Sequence, residues 1–537
     1  METFATISLL LGTWIEVNII AAVPIPPLIW GISVKICLIR PPILVPQYNQ
    51  TALFTPPLGL AYVAGTLVAA GFDVCAIDGL GEAMDARHPL ENECQLFGLD
   101  LDEVVTRVPD DVGLIGVSAG FSFEWPTCRT LICKLRERFP AAVLIIGGEH
   151  ATAAPAQCLA QSPVDACVLG EGEETALAVA QAVAVGCRDW RGIEGLAWRS
   201  ADGAIHTSGR RGRISALDDI PWPAWQLFPL TNYLDRGYGF GVNRGRSVPV
   251  LASRGCPYQC TFCSSPQMWT TRWAARSPEK LIEELVHYQE VYGAENFDFY
   301  DLTAIVKKKW IVEFCTSVLA RGIKFTWQLP SGTRSEAIDD EVAELLFRSG
   351  CRNLSYAPES GSATVLARIK KKIKPERMVE SIASCIRHGL NIKVNIMLGF
   401  PGETVREVLA SYVLIVRMAL AGAHDLSIWA FSPYPGSQLY EELVAGGHIA
   451  PDDAFYDGLR SYADASRTIS FSEHISASTL KWLRFWGTAL FYLTSWLRRP
   501  IRPFRLVYNL ARGRHESRGE MALAGLLQRA RILRPPA

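Results

Sequence analysis

From Val34 onward the chain alternates apolar runs with amphipathic ones. "VKICLIRPP" is a continuous apolar run of the buried-strand kind, "PPLGLAYVAGTLVAAG" a helix opened by proline and closed by Gly71, and "FDVCAID" a second strand. "VGLIGVSAG", "AAVLIIGGEHAT" and "DACVLGEGEE" follow as apolar strands ending in small or polar residues, with the helical "TCRTLICKLRERFP" between the first two. This alternation predicts an α/β, Rossmann-like domain over residues 34–200 with a parallel, doubly wound sheet. Ligands of such sheets bind beyond the carboxyl ends of the strands, here at Ser118 to Gly120, at Gly147 and Gly148 up to His150, and at Gly170 to Gly172. Adjacent glycines let a backbone lie flat against a large ligand or its phosphate, although plain turn geometry also places glycine at strand ends.

Residues 201–245 lack this rhythm and carry "DDIPWPAWQLFPLTNYL", a linker expected to pack through its aromatics. A second alternation fills 246–445. "SVPVLASRG", "NFDFYDL", "IKFTWQL", "RNLSYAPES", "NIKVNIMLGFPGE" and "HDLSIWAFSPYPG" are strands, with helices such as "PEKLIEELVHYQEVYG" and "DDEVAELLFRSG" between them. Six strand–helix units predict a partial (β/α)6 barrel with its chemistry at the carboxyl ends of the strands. Residues 446–537 read as a mainly helical region.

Directly after the first strand of the second array stands "SRGCPYQCTFCSSP", which sets Cys256, Cys260 and Cys263 in one loop. Structural zinc wants four Cys or His ligands, and the next histidine, His287, sits inside a predicted helix. Three thiolates can instead hold three irons of a four-iron, four-sulfur cluster and leave the fourth iron open to an outside ligand.

Composition adds bounds. The chain has 537 residues, 49% of them hydrophobic and 20% charged, enough for several buried cores. The formal net charge of -1 gives no general argument for nucleic acid, but residues 481–537 hold 12 Lys+Arg against 2 Asp+Glu. Most of the 14 cysteines stand singly in apolar runs, as small core residues do in a reducing cytoplasm. The apolar first 33 residues lack a basic start and are broken by Pro24, Pro26 and Pro27, so they read as an extension packed on the core or a misplaced start, not as a signal peptide or span.

"CPYQCTFC" resembles the signature of radical S-adenosylmethionine enzymes, and "APESGS", "IMLGFPGET" and "FSPYPGSQLYEEL" resemble later motifs of that family. "PPLGLAYVAGTL", "GGEHAT" and "LGEGEE" are similar to the cobalamin-binding domain that precedes the barrel in its cobalamin-dependent branch. The resemblance implies a cluster on Cys256, Cys260 and Cys263 and an external electron donor. It implies S-adenosylmethionine near Phe262, Asp301, Glu359, Gly399, Gly402 and Glu403, and cobalamin against Ser118, Gly120, Gly147, Gly148, His150, Gly170 and Gly172. The Asp-x-His-x-x-Gly loop of classical cobalamin domains is missing, since "ILVPQYNQTALF" stands there, so base-off cobalamin is expected, with His150 a candidate contact, although a lone histidine after a strand is more often a hydrogen-bonded structural residue. For Asp301 a helix cap is an equal alternative. Lys370, Lys371, Lys372 and Lys374 read as a solvated helix boundary, or as a site for an anionic substrate group.

The family's typical reaction is methylation of an unactivated carbon. A second outcome is oxidation or ring closure, as in anaerobic magnesium-protoporphyrin ester cyclase. A cobalamin sensor would not need the three cysteines, and a transfer-RNA methylthiotransferase should carry a further cysteine set, which Cys128 and Cys133, in one predicted helix, do not form. The run from Phe485 to Leu497, flanked by Lys481, Arg484, Arg498 and Arg499, is too short to span a bilayer. It suits an interfacial helix on the inner face of a membrane, and hence a lipid-like substrate as well as a soluble small molecule, or else a helix packed on the barrel.

Overall fold

The computed structural model describes residues 34–46, 54–90, 94–200, 202–334, 337–462 and 467–529; the apolar segment 1–33 and its expected packing lie outside them. The first half forms a seven-stranded sheet in the order Ile205–Thr207, Leu196–Arg199, Ala166–Val168, Val143–Gly147, Val112–Ser118, Lys35–Arg40, Asp73–Asp78. The last five of these are parallel, and the first two attach as antiparallel edge strands.

The sheet is doubly wound because its strands are apolar on both faces. Ile36 and Leu38 enter one core, with Leu58 and Leu67 of helix Leu58–Ala69 and Val179 of helix Glu173–Ala184. Cys37 and Ile39 enter the other, with Leu131 and Leu135 of helix Trp125–Arg138. Successive side chains of a strand point to opposite faces, so burial on both produces the unbroken apolar runs. Strand Lys35–Arg40 pairs with Asp73–Asp78 on one side and Val112–Ser118 on the other, and the winding reverses there, which makes the ends at Arg40 and Ser118 the topological switch point.

The expected linker starts later than its sequence suggested, because Ile205–Thr207 pairs with Leu196–Arg199 as part of the sheet. That strand is short and exposed, so it carries no apolar signal. The rest packs through its aromatics, with Trp225, Phe228 and Tyr233 buried. A Cβ at Gly65 would come within 2.2 Å of the Trp222 carbonyl oxygen, so only glycine lets helix Leu58–Ala69 seat this segment.

The second half is a partial (β/α)6 barrel. Its strands Ser247–Val250, Asn296–Phe299, Thr326–Thr333, Cys351–Glu359, Asn391–Leu398 and Asp425–Ala430 are parallel and neighbour one another in chain order. Strand Asn391–Leu398 shows how the barrel is built: Ile392, Val394, Ile396 and Leu398 are buried, while Asn391, Lys393, Asn395 and Met397 face the lumen.

Helices Ala477–Arg498, Ile501–Ala511 and Arg518–Arg529 form the C-terminal region. The first lies against helix Val405–Ala421 and strand Asp425–Ala430, burying Leu480 and Phe491. Part of the basic edge expected for lipid is used inside the protein. Arg484 donates to the Ile428 carbonyl at 3.0 Å, and Arg499 and Arg502 donate to carbonyls of residues 419–423, at the negative end of helix Val405–Ala421. The chain then returns to the floor of the barrel, where Gly519 N–H donates to Asp425 at 2.8 Å and Arg518 to the Gly241 carbonyl at 3.1 Å.

Candidate active site

The three cysteines lie at the carboxyl rim of the barrel, in the wall of a cavity of about 680 Å³. Their loop is shaped locally. Gly255 has φ +86, and a Cβ there would stand 2.2 Å from the Arg272 carbonyl, so the turn into Cys256 requires glycine. Further along, Thr261 N–H donates to the Ile369 carbonyl at 3.0 Å, and its own carbonyl accepts from Leu439 N–H at 2.9 Å. Phe262 packs on Phe400 with ring centroids 5.7 Å apart. Burial pushes the Cys263 thiol up to about 11 and raises Cys260, so protons must leave both when iron binds.

Among the described residues no three Cys, His, Asp or Glu side chains converge on a single ion. Three thiolates in the lining of one cavity match the three protein ligands of a four-iron cluster with one open iron. The donor set is therefore right for the cluster, and the cavity beside it leaves room for a ligand on an open iron.

Glu359 and Lys371 line the same cavity. Glu359 ends strand Cys351–Glu359 at φ +65, a strained conformation for a residue with a Cβ, and accepts from Lys371 Nζ at 2.9 Å. Lys371 is thus set apart from its neighbours in the lysine run. Its Nζ also lies 5.9 Å from the Phe262 ring centroid.

Other residues expected near S-adenosylmethionine take structural positions. Asp301 is buried, and its carboxylate accepts from Ala252 N–H at 3.1 Å and from both Ser253 N–H and Ser253 Oγ at 2.5 Å. Its oxygens brace the approach to the cysteine loop and do not reach the cavity wall. Gly399, Gly402 and Glu403 form the expected tight turn, but nothing in the turn lines the cavity. A Cβ on Gly399 would meet Leu480 at 2.7 Å, and Gly402 N–H donates to Glu473 at 2.8 Å, so the C-terminal region covers the turn from outside. Glu403 accepts from Gly399 N–H at 2.6 Å and Phe400 N–H at 3.2 Å, while its Oε1 is buried with no partner.

Burial raises Glu403 to about 7. The folded state then holds a proton that the unfolded chain has released, so this group's contribution is most favourable below its ordinary range of about 4.5 and falls as pH rises to about 7. Glu403→Gln is expected to unfold like the wild type near pH 4 and to gain up to about 3 kcal/mol on it by pH 8, measured by urea titration across pH. A gap independent of pH would contradict this.

In the sheet domain, Pro41, Pro42, Ser118, Ala119 and Gly120 line a cleft at the switch point. Gly120 has open space where a Cβ would be, and Gly148 has φ +112 with its Cβ position 2.8 Å from the Ala119 carbonyl. Phe121, Glu124 and Trp125 complete the wall of the cleft and leave only about 10 Å³, so cobalamin would lie over the strand ends, against the open space at Gly120, and not inside this cleft. Gly170 N–H donates to Thr152 Oγ1 at 3.0 Å. Glu171 and Glu173, near Gly172, bind Arg254 at 3.1 and 2.6 Å, and Glu171 also binds Arg213 at 2.6 Å, all with side chains only 5–7% exposed. The "LGEGEE" turn thus grips the arginine two residues before Cys256. Glu149 also accepts from Ser264 Oγ, next to Cys263.

His150 takes the structural place open to a lone histidine after a strand. It is buried between Trp125 and Tyr456, at 5.0 and 5.4 Å between centroids, with Nδ1 3.0 Å from Ser122 Oγ. Its ring belongs to the apolar core beneath the cleft. Cobalamin bound to His150→Asn is expected to keep the wild-type affinity within about twofold, because no contact is lost. In its paramagnetic form the wild type should lack histidine nitrogen splitting; splitting abolished by the substitution would put the ring on the metal.

A doubly wound sheet, tied by buried ion pairs to a partial barrel with three cysteines at its rim, is the architecture of an enzyme with an iron–sulfur site next to a second, sheet-borne domain. The Radical SAM superfamily matches residues 250–415 and the B12 binding domain matches residues 49–180. An uncharacterized methyltransferase of Pyrococcus horikoshii is 30% identical over 414 residues, covering 76% of this chain and 83% of that protein. Anaerobic magnesium-protoporphyrin IX monomethyl ester cyclase of Rubrivivax gelatinosus is 26% identical, over 72% of this chain and 66% of its own. The structure of the radical S-adenosylmethionine methyltransferase TsrM from Kitasatospora setae, with cobalamin and a [4Fe-4S] cluster bound, shares the fold at TM-score 0.60 and 19% identity, over 77% of this chain and 78% of that one.

The chain belongs to the radical SAM superfamily, in the branch that carries a B12-binding domain ahead of the barrel. Its cofactors are a 4Fe–4S cluster, S-adenosylmethionine and cobalamin.

Proposed function

We propose that the protein is a C-methyltransferase that moves a methyl group from S-adenosylmethionine, by way of cobalamin, to a carbon of a small molecule held in the barrel lumen. The observation that carries this reading is the junction of the two cofactor regions. The arginine before the cysteine loop is held by two buried glutamates of the sheet domain, so sheet domain and cluster loop are fixed against each other.

When bound, the cofactors supply radical generation and a transferable methyl group; the protein binds, orients and excludes water. Cys256, Cys260 and Cys263 would hold the cluster. Glu359, fixed by Lys371, stands in the same wall and offers a carboxylate to a bound S-adenosylmethionine. Below them the lumen is lined by Gln328, Asn353, Lys393 and Asn395, and the returning tail at 516–519 closes its floor. Lys393 forms no ion pair among the described residues, and burial holds its ammonium below the usual range. It is available to an acceptor group of the substrate. All fourteen cysteines are unpaired, which supports a reducing, cytoplasmic setting; the cluster would take its electron from an external donor in the absence of oxygen.

The test is anaerobic incubation of the reconstituted enzyme with methyl-labelled S-adenosylmethionine, reductant and cell extract. Label in a new small molecule, dependent on added cobalamin, is the expected result. Consumption of S-adenosylmethionine with no label transferred would overturn methylation and favour the oxidative or ring-closing reaction.

A further inference from the structure

We infer that helices Ala477–Arg498 and Ile501–Ala511 form a docking face for an anionic lipid bilayer, on which the barrel rests side-on. Helix Ala477–Arg498 is apolar on two opposite sides. Leu480, Gly487 and Phe491 face the barrel and are buried. On the opposite stripe, Trp482, Phe485, Trp486, Leu493, Trp496 and Leu497 are all exposed, Leu497 at 76%. A helix that only packs on a barrel has polar residues on its outer stripe. Helix Ile501–Ala511 continues the face with Ile501, Phe504, Val507 and Tyr508, of which Phe504 is 75% exposed. Helix Val405–Ala421, packed alongside, adds exposed Leu409. Contiguous exposure on this scale marks an interaction surface.

Charge identifies the occupant. No Asp or Glu occurs between Glu473 and Glu516, a stretch that carries eight Lys and Arg. Arg484, Arg499 and Arg502 are used internally, and Arg505 pairs with Glu516. Lys481, Arg498, Arg512 and Arg514 remain exposed around the aromatic face. Trp and Tyr among leucines, edged by cations and free of acids, match the interface of a bilayer with negative headgroups. A second copy of the chain fits badly, since a twofold contact would set these cations against their own images. The face lies on the membrane and does not cross it: no helix among the described residues is long and apolar enough to span.

The test is co-sedimentation of the full-length reconstituted protein with vesicles of phosphatidylcholine alone or with 30% phosphatidylglycerol, a composition chosen to model an anionic surface. Wild type is expected to partition into the anionic vesicles at least about tenfold better, with the preference weakening in high salt. Two variants separate docking from folding. Leu497→Glu with Phe504→Glu should abolish binding to both vesicle types, and Arg498→Glu with Arg512→Glu should abolish only the anionic preference, both retaining wild-type iron and cobalamin content. Wild type that stays in the supernatant with anionic vesicles would overturn the inference. So would a concentration-dependent dimer in sedimentation velocity that Leu497→Glu with Phe504→Glu dissolves, because the face would then belong to a second copy.

Discussion

Cys263→Ala is expected to reduce turnover to background, with iron content falling in parallel and cobalamin binding retained. Three thiolates are the full protein ligand set of the proposed cluster, and Cys263 is held one turn from Cys260 by a 3.1 Å bond from its N–H to the Cys260 carbonyl. Enzymes owe factors of about 10⁶ or more to their catalytic groups, so loss of the group that starts the chemistry leaves no partial activity to measure. Iron and sulfide analysis beside 5′-deoxyadenosine assays of both proteins checks this. Retention of half the wild-type rate with normal iron would mean that the cluster sits elsewhere.

Arg254→Ala should destabilise the protein by about 3–5 kcal/mol, the range seen when one partner of a buried ion pair is removed. The substitution leaves Glu173, its side chain only 7% exposed, without its cation, while Glu171 keeps Arg213 at 2.6 Å, and it also removes the guanidinium 4.9 Å above the Tyr62 ring. Since Tyr62 and both glutamates belong to the sheet domain, the variant should also lose the fixed seating of the cysteine loop. A lowered urea midpoint and a changed cluster absorption spectrum are the readouts. A double variant that also carries Glu173→Gln should recover part of the loss, because one stranded charge is gone. An Arg254→Ala protein as stable as the wild type would mean that Glu173 is paired some other way.

The pattern of the chain carried the fold because the strands are apolar wherever they meet helices, on both faces of the first sheet and on the outer face of the barrel. Strands such as Lys35–Arg40 and Asn391–Leu398 have to be apolar where they meet helices, and short loops put each helix between neighbouring strands. The cysteine loop was legible for a chemical reason, since three thiols in eight residues have few other uses. The ambiguous sites were strand-end groups whose role depends on distant partners. Asp301 at a strand end reads equally as a ligand or a cap, and only the approach of Ser253, 48 positions away, makes it a brace. Glu173 and Arg254 are 81 positions apart, so nothing local marks them as a pair. His150, after a glycine turn, reads as a candidate contact or as a hydrogen-bonded structural residue, and helix Glu149–Ala153 turns its ring into the core. Gly399 and Gly402 were recognisable as a turn, whereas the covering by Leu480 and Glu473 comes from a region whose return to the barrel has no sequence signal.

The most direct test of methyl transfer is the ratio of nucleoside products. Reconstituted enzyme, reductant, S-adenosylmethionine and cell extract are incubated anaerobically with and without cobalamin, and 5′-deoxyadenosine and S-adenosylhomocysteine are quantified by mass spectrometry. Equal amounts of the two, both tied to cobalamin, are expected. 5′-Deoxyadenosine alone, formed at the same rate without cobalamin, would contradict methylation.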